Sequence, residues 1–195
     1  QGFKDGQTNL GVMYESGTGV LQNFKEAFKW FKLSANQGSM QAQLNLGVMY
    51  KNGNGVRQDN NEAVKWFNLS ANQGFAIAQY SLGLMYQTGH GVLQDYEQAI
   101  NWHKLSAGQG YNSAQLTLGR LYASGELGSK DYVLAYKWFS MASIEGDKEA
   151  EIYKVKLEKI MSPSQIEKAN EMTKDQSLKT SNSKQTKACT HQPSF

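Results

Sequence analysis

Apolar and polar positions along this chain fall on two helical stripes that return every 36 residues. In one copy, Ala42, Leu46, Met49 and Tyr50 are separated by steps of four, three and one, which brings their side chains to one face of a helix. Ala63, Trp66, Phe67, Ser70 and Ala71 draw the same stripe on a second helix. Between the two, Gly53-Asn54-Gly55 interrupts the pattern, and Asp59 is placed to accept from the free amides that open the second helix. Glu62, three residues further on, is the expected reciprocal partner of a capping box. Gly74 then supplies the left-handed residue that closes the second helix. Each copy is thus predicted to be a helix, a turn and a second helix.

The other copies fall into register. Trp30, Trp66, Trp102 and Trp138 are all four tryptophans of the chain and stand 36 residues apart. Leu10-Gly11, Leu46-Gly47, Leu82-Gly83 and Leu118-Gly119 recur at the same period, and Gln37-Gly38, Gln73-Gly74, Gln109-Gly110 and Glu145-Gly146 end the units. Asn23, Asp95 and Asp131 share the column of Asp59; Glu26 and Gln98 follow the first two, but Leu134 follows Asp131, so the fourth cap is expected to be half-formed. The four helical repeats lie near 3–38, 39–74, 75–110 and 111–146. A fixed period of this length means stacked supersecondary units, because a lone helical hairpin cannot bury both of its apolar stripes. Small residues at Ala42, Gly47, Ala63 and Ala71 allow helices to approach to roughly 8 to 10 Å. Trp66 and Tyr50 are expected to fill the wider gaps, so that Trp66→Ala costs about 3 to 5 kcal/mol.

The combination Ala-x-x-x-Leu-Gly-x-x-Tyr, Gly-x-Gly-Val, Asp-x-x-x-Ala-x-x-Trp and Ala-x-Gln-Gly resembles the Sel1-like repeat. It runs nearly unbroken from Ala42 to Gly74 and from Ala78 to Gly110, and the resemblance covers residues 1 to about 150. It implies an all-α fold, a right-handed α/α superhelix akin to tetratricopeptide arrays. Departures are confined to the fourth unit, where Glu126-Leu127 replaces the x-Gly step of the turn.

The two ends differ from the middle. Gln1-Gly2 aligns with Gln37-Gly38, so the chain opens on the tail of an earlier unit; without an initiator Met, a fragment or processed chain is expected. Ala150-Glu151-Ile152 starts a fifth first helix, but Lys154, Val155 and Glu158 stand where Leu, Gly and Tyr recur elsewhere. Residues 147–175 are therefore expected to form a pair of capping helices, the second starting at Ser162-Pro163-Ser164 and running from Gln165 to about Lys174. Residues 176–195, polar and poor in apolar side chains, are expected to be a disordered tail.

Charge and composition narrow the function. Residues 1–153 carry twelve basic and thirteen acidic side chains, whereas 154–195 carry eight and four. The repeats thus lack the basic stripe that nucleic acid requires, and no apolar run approaches the length of a membrane span. Cys189 is the single cysteine, so no internal disulfide forms and the redox compartment stays open. The glycine turns follow helices and lack the Lys-Ser/Thr of a phosphate loop. His90 and His103 have no converging ligands for a metal, and Ser81 and Thr117 share a column with Asn9 and Asn45, which gives nucleophile chemistry no support. No catalytic residue, cofactor or metal is expected.

What remains is a surface. Opposite the buried stripe of the first helices lie Asn9 and Val12, then Gln41, Asn45 and Val48, then Ile77, Ser81 and Leu84, then Ser113, Thr117 and Arg120. The resemblance implies that the first helices line the concave face, where these columns would form a ladder over roughly 40 Å. Such a ladder suits an extended peptide of about ten residues or a partner's helix. The expectation is a monomeric, non-catalytic scaffold for another protein or peptide, with its compartment unspecified. The resemblance also carries two rivals. One is a cell-envelope hydrolase or peptidoglycan- or β-lactam-binding protein of the cysteine-rich branch, whose cysteine pairs this chain lacks. The other is a structural segment of a longer array.

Overall fold

The computed structural model describes residues 2–126 and 128–189, with side chains described from 3 to 178 apart from Leu127. Among the described residues the chain is all-α, in the order α1 (Gly2–Ser16), α2 (Phe24–Asn36), α3 (Met40–Asn52), α4 (Asn60–Asn72), α5 (Ala76–Thr88), α6 (Tyr96–Gly108), α7 (Asn112–Ser124), α8 (Tyr132–Ile144), α9 (Lys148–Glu158) and α10 (Pro163–Cys189). The first eight are the four predicted hairpins of an α-solenoid. Packing divides the chain within α6, into a unit ending at Trp102 and a unit beginning at His103.

In the first unit each core is shared between repeats. Ala27, Phe31 and Ala35 of α2 close on Ala42, Leu46 and Met49 of α3, with Trp66 of α4 packed against the cluster. One step along, Ala63, Phe67 and Ala71 of α4 close on Ala78, Leu82 and Met85 of α5, and Trp102 packs there. Trp66 and Trp102 thus each pack on a core to which the preceding repeat contributes. The largest fully buried side chains are Phe31, Phe67 and Phe139, while Trp66 is only half-buried. The phenylalanines therefore fill the interior, with Trp66 and Trp102 packed at its edge. The reason lies at Gly47, where a Cβ would stand 2.4 Å from the Phe67 ring; the ring lies directly on the glycine. The same contact joins Gly11 to Phe31 and Gly119 to Phe139.

Helix ends follow the predicted chemistry with one correction. Asn23, Asp59 and Asp131 accept from the opening amides of α2, α4 and α8, and Asp95 accepts from the Gln98 amide. The reciprocal half of the capping box is absent at Glu26 and Glu62. The amides of Asn23, Asp59, Asp95 and Asp131 donate instead to the carbonyls of Tyr14, Tyr50, Tyr86 and Tyr122, at 2.8 to 2.9 Å. With those donors satisfied, Glu26 and Glu62 turn to Lys29 and Lys65, at 2.6 and 2.5 Å. A complete box forms at α10, where the Ser162 amide donates to Gln165 Oε1 at 2.9 Å and the Gln165 amide to Ser162 Oγ at 3.3 Å.

Two polar devices hold successive repeats together. The Gln43 amide group, buried on α3, donates to the Ala35 carbonyl of α2 at 3.2 Å, and accepts from Gln73 at 2.7 Å. Gln79 and Gln115 repeat the carbonyl bond, to Ala71 and Ala107. In the turn, Gly55 has φ of +69° and sits against the first turn of α2, so close that a Cβ would meet the Phe24 carbonyl oxygen at 2.3 Å. The equivalent fourth-repeat position is Leu127, which lies outside the described residues.

In the second unit α9 and α10 both pack on α8. Val155 of α9 holds the column of Gly47, and Asp175 of α10 the column of Phe67. The glycine-aromatic contact that pairs the two helices of a repeat is therefore impossible in a fifth copy. Thr173 and Ser177 of α10 lie over α8 instead, with the Ser177 hydroxyl 3.4 Å from Met141 Sδ. The α10 backbone is helical to Cys189, past Lys174 and into the stretch whose composition led to the expectation of a disordered tail. No Pro or Gly interrupts 164–189, and the Thr173 and Ser177 hydroxyls bond back to the carbonyls four residues earlier. Residues 190–195 of the expected tail lie outside the described residues.

Candidate functional site

The variable columns of the first helices are accessible, to differing degrees. In the first unit Asn9, Val12, Gln41 and Ile77 are exposed, while Asn45, Val48, Ser81 and Leu84 are half-buried. Gln41 Nε2 donates to Asn45 Oδ1 at 3.1 Å, one turn along the same helix, which orients both amides. The Ser81 hydroxyl donates to its own helix at the Ile77 carbonyl, 2.9 Å away. This bond directs it along the helix. Val48 is half-buried and packs on one side against the core cluster of Leu44, Phe67 and Leu82. The result in this unit is a face of aliphatic side chains and amides without a charge among the eight predicted residues.

In the second unit Ser113 and Arg120 are exposed and Thr117 is half-buried. Arg120, at the end of the expected ladder, is engaged by α9. Its guanidinium bonds the Glu149 carboxylate and lies 5.7 Å from the centre of the Tyr153 ring. Lys156 stands over the same ring at 5.3 Å, and the ring stacks on Phe139 with centroids 5.0 Å apart. Glu149, Tyr153 and Lys156 continue the columns of Ser113, Thr117 and Arg120 by one further period. The signal was present in the 36-residue spacing, but α9 departs from the repeat at its core positions and its surface columns were not carried forward.

The remaining candidate chemistry is structural. His103 takes the column of Phe31, Phe67 and Phe139, is fully buried, and burial lowers its imidazole to about 4. His90 is exposed in its turn. Among the described residues no three His, Cys, Asp or Glu side chains gather to hold a metal ion, and no helix is long and apolar enough to cross a membrane. The glycine turns close helices and dock one repeat on the next.

Comparison with known proteins agrees with this architecture. The family model described as Sel1 repeat matches residues 4–39, 41–75, 76–111 and 112–147. The chain is similar to a solved Sel1 repeat protein from Oxalobacter formigenes, at 37% identity and TM-score 0.75, over 78% of this chain and 62% of that one. It is also similar to c5321, a protective antigen of uropathogenic Escherichia coli with an SLR fold, at 31% identity and TM-score 0.78, over 92% of this chain and 38% of that one. The chain thus spans less than two thirds of the length of either relative. No curated protein matches it.

Proposed function

The chain belongs to the Sel1 repeat family, and from that premise we propose that it is a non-catalytic scaffold that binds a peptide or protein along the variable face of its first helices. The family consists in general of protein-interaction scaffolds, and the face of this member has the matching chemistry. The observation that carries the reading is the exposure of Val12 and Ile77, at 43% and 38%, among amides on helices whose other faces are core. Apolar side chains give a peptide's side chains something to bury against, and oriented amides pair with its backbone. The concave placement of that face is part of the proposal, as is the monomeric state.

The partner is sought by affinity capture and its binding then measured with purified components by calorimetry. The triple variant Gln41→Glu/Ile77→Glu/Ser113→Glu places charge at exposed positions of three repeats and leaves the core intact. Affinity is expected to fall by about a hundredfold or more, with helicity and thermal midpoint unchanged. Unaltered affinity in that variant overturns the face.

A further inference from the structure

One column of the first helices changes character between the two units. Val12, Val48 and Leu84 hold it in the first, Arg120 and Lys156 in the second. Both cations rest on one aromatic platform. The half-buried Tyr153 ring stacks on the fully buried Phe139, and Arg120 and Lys156 stand 5.7 and 5.3 Å from its centre. A ring held by a core phenylalanine limits where those charges can sit, so less ordering is left to lose on binding. The carboxylates of α9 are already spent inside the unit. Glu149 takes the Arg120 guanidinium, Glu151 accepts from the Ser143 hydroxyl and pairs with Lys154 at 2.9 Å, and Glu158 accepts from the Tyr136 hydroxyl at 2.8 Å. Lys156 is exposed and has the ring instead; none of the ion pairs among the described residues includes it. The platform, with Arg120, Lys156 and Glu149 on it, therefore carries an excess positive charge.

We propose that this platform binds an acidic segment of a partner protein, with an aspartate or glutamate carboxylate of the partner on Lys156 and the methylenes of that side chain against Tyr153. The proposal rests on the scaffold reading above and adds the chemistry that the second unit selects. The segment is acidic there, whereas the eight ladder residues of the first unit carry no charge.

The test titrates the whole chain, by calorimetry, with capped decapeptides in which leucine alternates with glutamate, with glutamine or with lysine. At low ionic strength the glutamate peptide is expected to bind about threefold or more tighter than the glutamine peptide, and the lysine peptide more weakly than either. The advantage shrinks as salt is raised, because the pair is solvent-accessible. Lys156→Gln removes it and leaves the affinity for the glutamine peptide and the thermal midpoint unchanged, while Lys156→Arg retains it. The triple variant Gln41→Glu/Ile77→Glu/Ser113→Glu reports separately on the scaffold reading, through its effect on the neutral glutamine peptide. If the triple variant weakens that peptide but the parent gives the glutamate peptide no advantage over it, the acidic site falls and the face stands. If Lys156→Gln loses the advantage while the triple variant binds the glutamine peptide as the parent does, the face falls and the acidic site stands. A glutamate advantage that survives Lys156→Gln, or no saturable binding of any of these peptides, overturns the proposal.

Discussion

At the scale of single residues, His103 ties the fold to pH. An unfolded histidine titrates near 6.5, whereas burial holds this one at about 4. Between those values the unfolded chain binds a proton that the folded chain excludes, so stability is complete above pH 6.5 and falls as the pH drops toward 4. The full loss is about 3 kcal/mol. His103→Phe, which restores the residue of the other three repeats, is expected to remove this component; urea unfolding of both proteins from pH 7.5 to 4 measures the difference. Gly47→Ala drives a methyl into the Phe67 ring and is expected to cost about 1 to 3 kcal/mol in the same assay. Both positions were visible in the aligned copies, because a period exposes both a histidine among phenylalanines and a glycine that recurs in every copy. The column of Gln43, Gln79 and Gln115 was equally periodic but escaped notice. An apolar stripe skips over glutamine, and the carbonyl it needs lies across a turn in the preceding helix.

At the scale of elements, the second helix of each repeat starts on an Asn or Asp whose own amide is held by the preceding helix's tyrosine carbonyl. Asp59→Ala is expected to cost about 1 kcal/mol, since it frees the amides of Asn61 and Glu62. Glu62→Gln is expected to change stability by less than about 0.5 kcal/mol, because the carboxylate makes only a solvent-accessible pair with Lys65. Thermal or urea unfolding separates the two; a large effect of Glu62→Gln would mean that the capping box forms after all. Helix positions and caps were legible because hydrophobic period and cap chemistry are local. The destination of Glu62 was not, because it depends on a carbonyl that only the folded hairpin brings to Asp59. Beyond Lys174 the sequence carries two opposed signals: its polar composition argues for disorder, while the absence of Pro and Gly over 164–189 leaves nothing local to end α10.

At the scale of the molecule, the stacked helical hairpins were readable from the 36-residue spacing and the Sel1 fold from the motif that recurs with it, while the candidate face was readable only as columns. Its columns were evident, yet Val48 belongs partly to a core and Arg120 to a contact with α9, facts set by neighbouring helices. The packing of α10 on α8 has a measurable counterpart. Removing residues 163–195 uncovers Met141 and Tyr136, 5% and 4% exposed, and is expected to cost about 3 kcal/mol. Hydrogen exchange should show the loss in α8, with α2 and α3 unchanged. The glycine-phenylalanine contact, absent where Val155 and Asp175 stand, has a last consequence for how such proteins change over time. Each repeat recognises only its neighbour, so copying a 36-residue segment in the gene lengthens the array without altering any existing contact.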